Sequence, residues 1–100
     1  IMVFTKEQIK EVWENATVVS GTDPKVLRKD KCGAWIAHIQ YGNRNSKFGW
    51  EIDHITPESK GGTNELPNLQ PLQWENSLSK LDDKLVCTVT SKGMDNVKNR

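Results

Sequence analysis

The sequence predicts a small α+β domain. Three patterns carry that expectation: an amphipathic helical stretch at the N-terminus, two alternating strand-like runs around a polar turn, and a second helical stripe after a long loop. At 100 residues the chain supports one modest core and no second one. Its composition, 35% hydrophobic and 27% charged, is that of a globular chain rather than a disordered one. No apolar run approaches the roughly 20 residues that cross a bilayer, and no signal-peptide pattern is visible. The expected setting is therefore cytoplasmic, with no membrane partner.

The first helix is placed at about residues 5–16. Thr5 and Gln8 form a capping box, and Phe4 and Ile9 are spaced for a hydrophobic staple. Ile9, Val12, Trp13 and Ala16 fall on one face, with Lys6, Lys10, Glu11 and Glu14 opposite. Ser20 to Pro24 reads as a turn, and Asp23-Pro24 as the start of a short helical turn through Arg28. Residues 34–41 read as a strand, with Trp35, Ala37, Ile39 and Tyr41 on one face. Residues 47–53 return as its hairpin partner, with Phe48, Trp50 and Ile52 aligned. Residues 55–67 form a loop rich in Pro, Gly and small polar residues, long enough to suggest a role beyond connection. A second helix follows Pro71, with Trp74, Leu78 and Leu81 on its inward stripe. The tail contains a strand-like Leu85 to Val89, and residues 91–100 are expected to fray.

Charge is unevenly spread. Net charge is +1 overall, yet residues 25–47 carry five net positive charges and residues 51–100 two net negative ones. A basic block beside an acidic half suits a phosphate-backbone binder that reserves carboxylates for a metal, but from charge alone a solvated, turn-rich surface is the simpler explanation. Cys32 and Cys87 form no paired-ligand motif, so a structural zinc is not expected. A disulfide between them is open, and two reduced, mostly buried thiols is the preferred reading.

The segment WEIDHITPESKGGTNELPNLQPLQWENSLSKLDDK, with RKDKCGAWI and YGNRNSKFGWEIDHI before it, resembles the HNH endonuclease family of the non-zinc bacterial and phage type. The resemblance covers about residues 28–84. It rests on Asp53-His54, Ser59-Lys60-Gly61-Gly62, Asn68-Leu69-Gln70-Pro71-Leu72, Trp74-x-Asn76 and a following lysine, all in order. It implies a ββα-metal (His-Me finger) core within a single domain of residues 1–100. It also implies metal-dependent hydrolysis of DNA phosphodiester bonds, with double-stranded DNA as substrate and little sequence preference. No helix carries a row of Arg, Asn and Gln for reading bases in the major groove.

The residue types suit that chemistry. A base must deprotonate water, and histidine, with an ordinary pKa near about 6.5, is the side chain for it at neutral pH; His54 takes that role. A hard divalent cation is typically held by one or two carboxylates with waters and substrate phosphate. Asp53 is the expected ligand, for Mg²⁺ first and Mn²⁺ as an alternative. Neighbours on a regular strand point to opposite faces, so the pair is expected where the strand ends, with the phosphate between them. Asn68, fourteen positions after His54, carries the family's orienting role through the resemblance.

The family's third motif position falls at Ser77, where Asn or His is usual as a second metal ligand. On a wheel of about 100° per residue Ser77 borders the inward stripe and Asn76 lies outside it. A hydroxyl is a weaker ligand than an imidazole or amide. Either Ser77 holds the metal through water, or the domain is a weakened or inactive nucleic-acid-binding module. A nuclease domain released from a larger toxin is a third reading. Lys60, Lys80, Lys84, Arg44 and Lys47 are the candidate phosphate contacts.

Overall fold

A computed structural model describes residues 3–81 and 83–100. Its elements are α1 (Lys6–Glu14), β1 (Leu27–Lys29), β2 (Trp35–Ala37), β3 (Trp50–His54), β4 (Leu69–Gln73), α2 (Trp74–Leu78), β5 (Val89–Lys92) and β6 (Asp95–Lys98). Single 3-10 turns lie at His38–Gln40, Glu58–Lys60 and Leu66–Asn68. The strands pair as three separate antiparallel ribbons, β1 with β2, β3 with β4 and β5 with β6. The whole is a small α+β arrangement, and β3, β4 and α2 follow in ββα order.

Helix α1 forms as its local signals dictate. Thr5 Oγ1 accepts from Gln8 N–H, Gln8 Oε1 accepts from Thr5 N–H, and both halves of the capping box are closed. Val12, Trp13 and Ala16 reach the core, where they meet Ile36, Trp50 and Leu69; Phe4, Ile9, Tyr41 and Ile52 pack around that cluster. Trp13 donates its indole N–H to Pro24 O and stacks on His38. Arg28 crosses Trp13 and donates to the carbonyls of Pro24, Glu14 and Ala16. Part of the basic block thus braces α1 against β1.

Strand pairing departs from the expected hairpin. Residues 34–41 are a strand only over Trp35–Ala37, and that strand pairs with β1, where a helical turn was expected to run through Arg28. The 34–41 and 47–53 segments still touch: Ala37 N–H donates to Phe48 O, and Tyr41 meets Trp50 at a single parallel bridge. The partner of β3 is β4, in register from Trp50↔Gln73 to His54↔Leu69. Pro71 does not prevent this, because β4 pairs through one edge alone and needs no donor on the other.

Helix α2 is shorter than expected, and its inward residue is polar. Leu78 and Leu81 are 57% and 67% exposed, whereas Asn76, expected on the outer side, is fully buried. Asn76 Nδ2 donates to Asp30 Oδ2 and Val89 O, and its Oδ1 accepts from the backbone N–H of Thr88 and Val89. Asp30 is the hub of this polar core. Its Oδ1 accepts from Cys32 and Ala34 N–H, and its Oδ2 from Gln73 N–H as well as Asn76. Among the described residues every buried polar side-chain atom has a partner, as a desolvated network requires.

Two further expectations are corrected. Cys32 and Cys87 are joined in a disulfide, which ties the loop after β1 to the segment before β5. Residues 91–98 do not fray: they lie in the β5–β6 ribbon, turned at Gly93-Met94. Asn96 docks that ribbon by holding both backbone groups of Trp35 and the carbonyl of Lys47. Lys47 also donates to Asp95, which holds the Asp95 carboxyl below its ordinary value.

Candidate active site

The β3–β4 ribbon delivers Asp53 and His54 at its far end, opposite Gln70 and Leu69. β3 ends at His54, so the pair lies at the strand end as expected, with the ladder running through both residues. Their side chains engage different neighbours. The Asp53 carboxylate is held on one oxygen: Oδ2 accepts from Gln70 Nε2–H at 2.9 Å and from Lys80 Nζ at 3.2 Å. Asp53 and Lys80 side chains are 10% and 15% exposed, so this is a largely desolvated ion pair. The same ammonium donates to the backbone carbonyl of His54 at 2.8 Å, so that Lys80 spans both residues from the end of α2.

His54 is half-buried. Its Nε2–H donates to Asn64 Oδ1 at 2.6 Å, and the Phe4 ring lies 6.1 Å from the imidazole. An amide carbonyl only accepts, so Nε2 is the donor in this contact. Asn64, which the motif alone does not mark, is the side-chain partner of the imidazole. Its clue was its place in the long polar loop ten positions after the histidine, close enough in sequence for the loop to fold back.

The loop between β3 and β4 is ordered by Asn68. Its Oδ1 accepts from Thr56 N–H, and its Nδ2 donates to the carbonyls of Thr56 and Thr63. Asn68 therefore stitches both arms of the loop, next to the Asn64 that meets His54. Gly62 sits inside this stitch. A Cβ there would lie 1.7 Å from Thr56 O and 2.9 Å from Asn68 Nδ2. The amides of Gly61 and Gly62 donate to Glu58 O and Pro57 O. The glycines thus serve the loop's own close packing, and their amides are engaged within it.

The remaining candidates are spread out. Arg44 forms a two-pronged pair with Glu51, at 2.6 and 3.0 Å. Lys47 pairs with Asp95 and Lys60 with Asp83. Lys84 is exposed, and its backbone closes a tight turn with Leu81. Ser77 is half-buried on α2, beside the Asn76 that faces the polar core. Among the described residues no group of three or more His, Cys, Asp or Glu is gathered as a metal cage. Of the two carboxylates on β3, Glu51 is paired with Arg44 and Asp53 stands beside His54. A single carboxylate such as Asp53 suits a hard cation that keeps most of its waters, and the disulfide removes both thiols as ligands. No helix among the described residues is long and apolar enough to cross a membrane.

The HNH endonuclease family model matches residues 38–75. The matched stretch runs from the 3-10 turn after β2 to the first two residues of α2, and contains Asp53, His54, Asn64 and Asn68. It stops before Ser77 and Lys80. No curated protein and no solved structure gives a significant match to the chain.

Proposed function

We propose that this domain is a metal-dependent endonuclease that hydrolyses DNA phosphodiester bonds with little sequence preference. The observation that carries this reading is the His54–Asn64 contact at the end of β3, inside the stretch matched by a nuclease family. His54 acts as general base: Nδ1 takes the proton from the attacking water, while Asn64 keeps the ring oriented through Nε2–H and favours the cation that forms. Asn68 acts through the loop, holding Asn64 and the strand end in register. Asp53, with Ser77 as a weaker donor, is the site for a hard divalent cation, Mg²⁺ or Mn²⁺. When bound, such a cation supplies charge stabilisation to the phosphate and the departing oxygen. Lys80, which already lies at this end of the ribbon, is the first phosphate contact, with Lys84, Lys60, Arg44 and Lys47 as the further basic contacts.

A second reading is favoured by two observations, Ser77 at the usual ligand position and Lys80 already seated on Asp53. In it, the domain binds DNA without cutting it. Conversion of supercoiled plasmid in Mg²⁺, Mn²⁺ or EDTA separates the two. Metal-dependent nicking that disappears in His54→Ala supports the nuclease, and DNA binding without nicking under any metal supports the binding module. The Cys32–Cys87 disulfide persists best in an oxidising environment, which favours a domain that acts outside the reducing cytosol over the cytoplasmic setting expected from composition.

A further inference from the structure

We infer that Lys80 is a built-in counter-ion that withholds Asp53 from a metal until DNA is bound, so that metal and DNA recruit each other. The inference rests on the metal role proposed for Asp53 and concerns how that site is regulated. Lys80 Nζ lies 3.2 Å from Asp53 Oδ2 and 2.8 Å from His54 O, and Gln70 Nε2 holds the same carboxylate oxygen at 2.9 Å. With both side chains largely out of water, the carboxylate is neutralised and one of its two oxygens is fully engaged. A divalent cation at Asp53 would lie within a few ångströms of an ammonium in a poorly hydrated site, and like charges at that spacing oppose each other strongly.

Lys80 is placed to move. It follows Ser79, the residue that caps α2, and leaves the helix on a four-carbon stem. A phosphodiester arriving at the end of β3 offers the ammonium a second anionic partner. Once Lys80 turns to that phosphate, Asp53 is released to a cation. The coupling is reciprocal: what DNA does for metal affinity, metal does for DNA affinity.

The test is Mn²⁺ binding followed by electron paramagnetic resonance, in a His54→Ala background that prevents cleavage, without and with a short DNA duplex. The Asp53→Asn protein with the same duplex sets the background from ions on the DNA. The expected results are about tenfold tighter Mn²⁺ binding in Lys80→Met and Lys80→Gln than in the parent without DNA, and about tenfold tightening by duplex in the parent that falls below about twofold in both variants. Lys80→Arg keeps the charge and should stay weak without DNA. Thermal melting of each variant verifies that it is folded. Equal, Asp53-dependent Mn²⁺ affinity in parent and variants overturns the role of Lys80 and leaves the metal reading standing. Absence of Asp53-dependent binding in every protein, with or without duplex, overturns both.

Discussion

The imidazole Nε2–H of His54 meets the side-chain carbonyl of Asn64 at 2.6 Å, across the loop that separates β3 from β4. One contact thereby orients the ring and ties its position to the order of the loop. Asn64→Ala should lower the cleavage rate about tenfold or more, the effect typical of losing a partner that orients an active imidazole. The loss should fall on kcat, with KM for plasmid little changed, in nicking kinetics over a range of DNA concentrations.

Gly62 is the point where that loop has no room. Ala at this position places a methyl group 1.7 Å from Thr56 O and 2.9 Å from Asn68 Nδ2. Gly62→Ala should cost about 1–3 kcal/mol of stability. It should also reduce nicking by more than the folded fraction explains, because the Asn68 contacts to Thr56 and Thr63 must give way. Nicking per folded molecule, with the folded fraction from circular dichroism, measures both effects.

Asn76 is a structural residue, not a replacement ligand for Ser77. Its amide joins α2 to Asp30 and to the start of β5 through five hydrogen bonds. Asn76→Ala should destabilise the domain by about 3 kcal/mol or more, since it leaves buried backbone donors and the Asp30 carboxylate short of partners. Urea unfolding of the variant reads this directly.

The disulfide spans 55 positions. Chain-entropy reasoning gives it about 4 kcal/mol of stabilisation. The Cys32→Ser, Cys87→Ser double variant, or the protein in reductant, should lose a large part of this in the same unfolding experiment. The β5–β6 ribbon should gain hydrogen-exchange rate before β3 and β4 do.

Legibility in the sequence followed the range of the physics. Helix α1 is specified within four residues by Thr5 and Gln8, and its limits are nearly those expected. The alternation of Trp50 and Ile52 marked β3 correctly, but its partner is set by non-local packing, and the nearer run at 34–41 was the misleading choice. Pro71 and the helical spacing of Trp74, Leu78 and Leu81 concealed β4 and lengthened α2. The real inward contact is made by a polar residue, Asn76, which no hydrophobic period marks. The β5–β6 ribbon was missed for the same reason, since its docking residue is Asn96. Asp53 and His54 are adjacent in sequence and needed only the motif. The engagement of Asp53 by Lys80 and Gln70 depends on three separate elements and was not readable.

The proposed role of His54 is that of the base in a metal-dependent DNA cut. Its most direct measurement is nicking of supercoiled plasmid by the parent and by His54→Ala, each in Mn²⁺ and in EDTA, with DNA affinity measured in parallel. The expected result is Mn²⁺-dependent nicking by the parent, a fall of at least about a hundredfold in the variant, and DNA affinity unchanged within about twofold. Nicking by His54→Ala at the parent's rate, or nicking by the parent undiminished in EDTA, would contradict it.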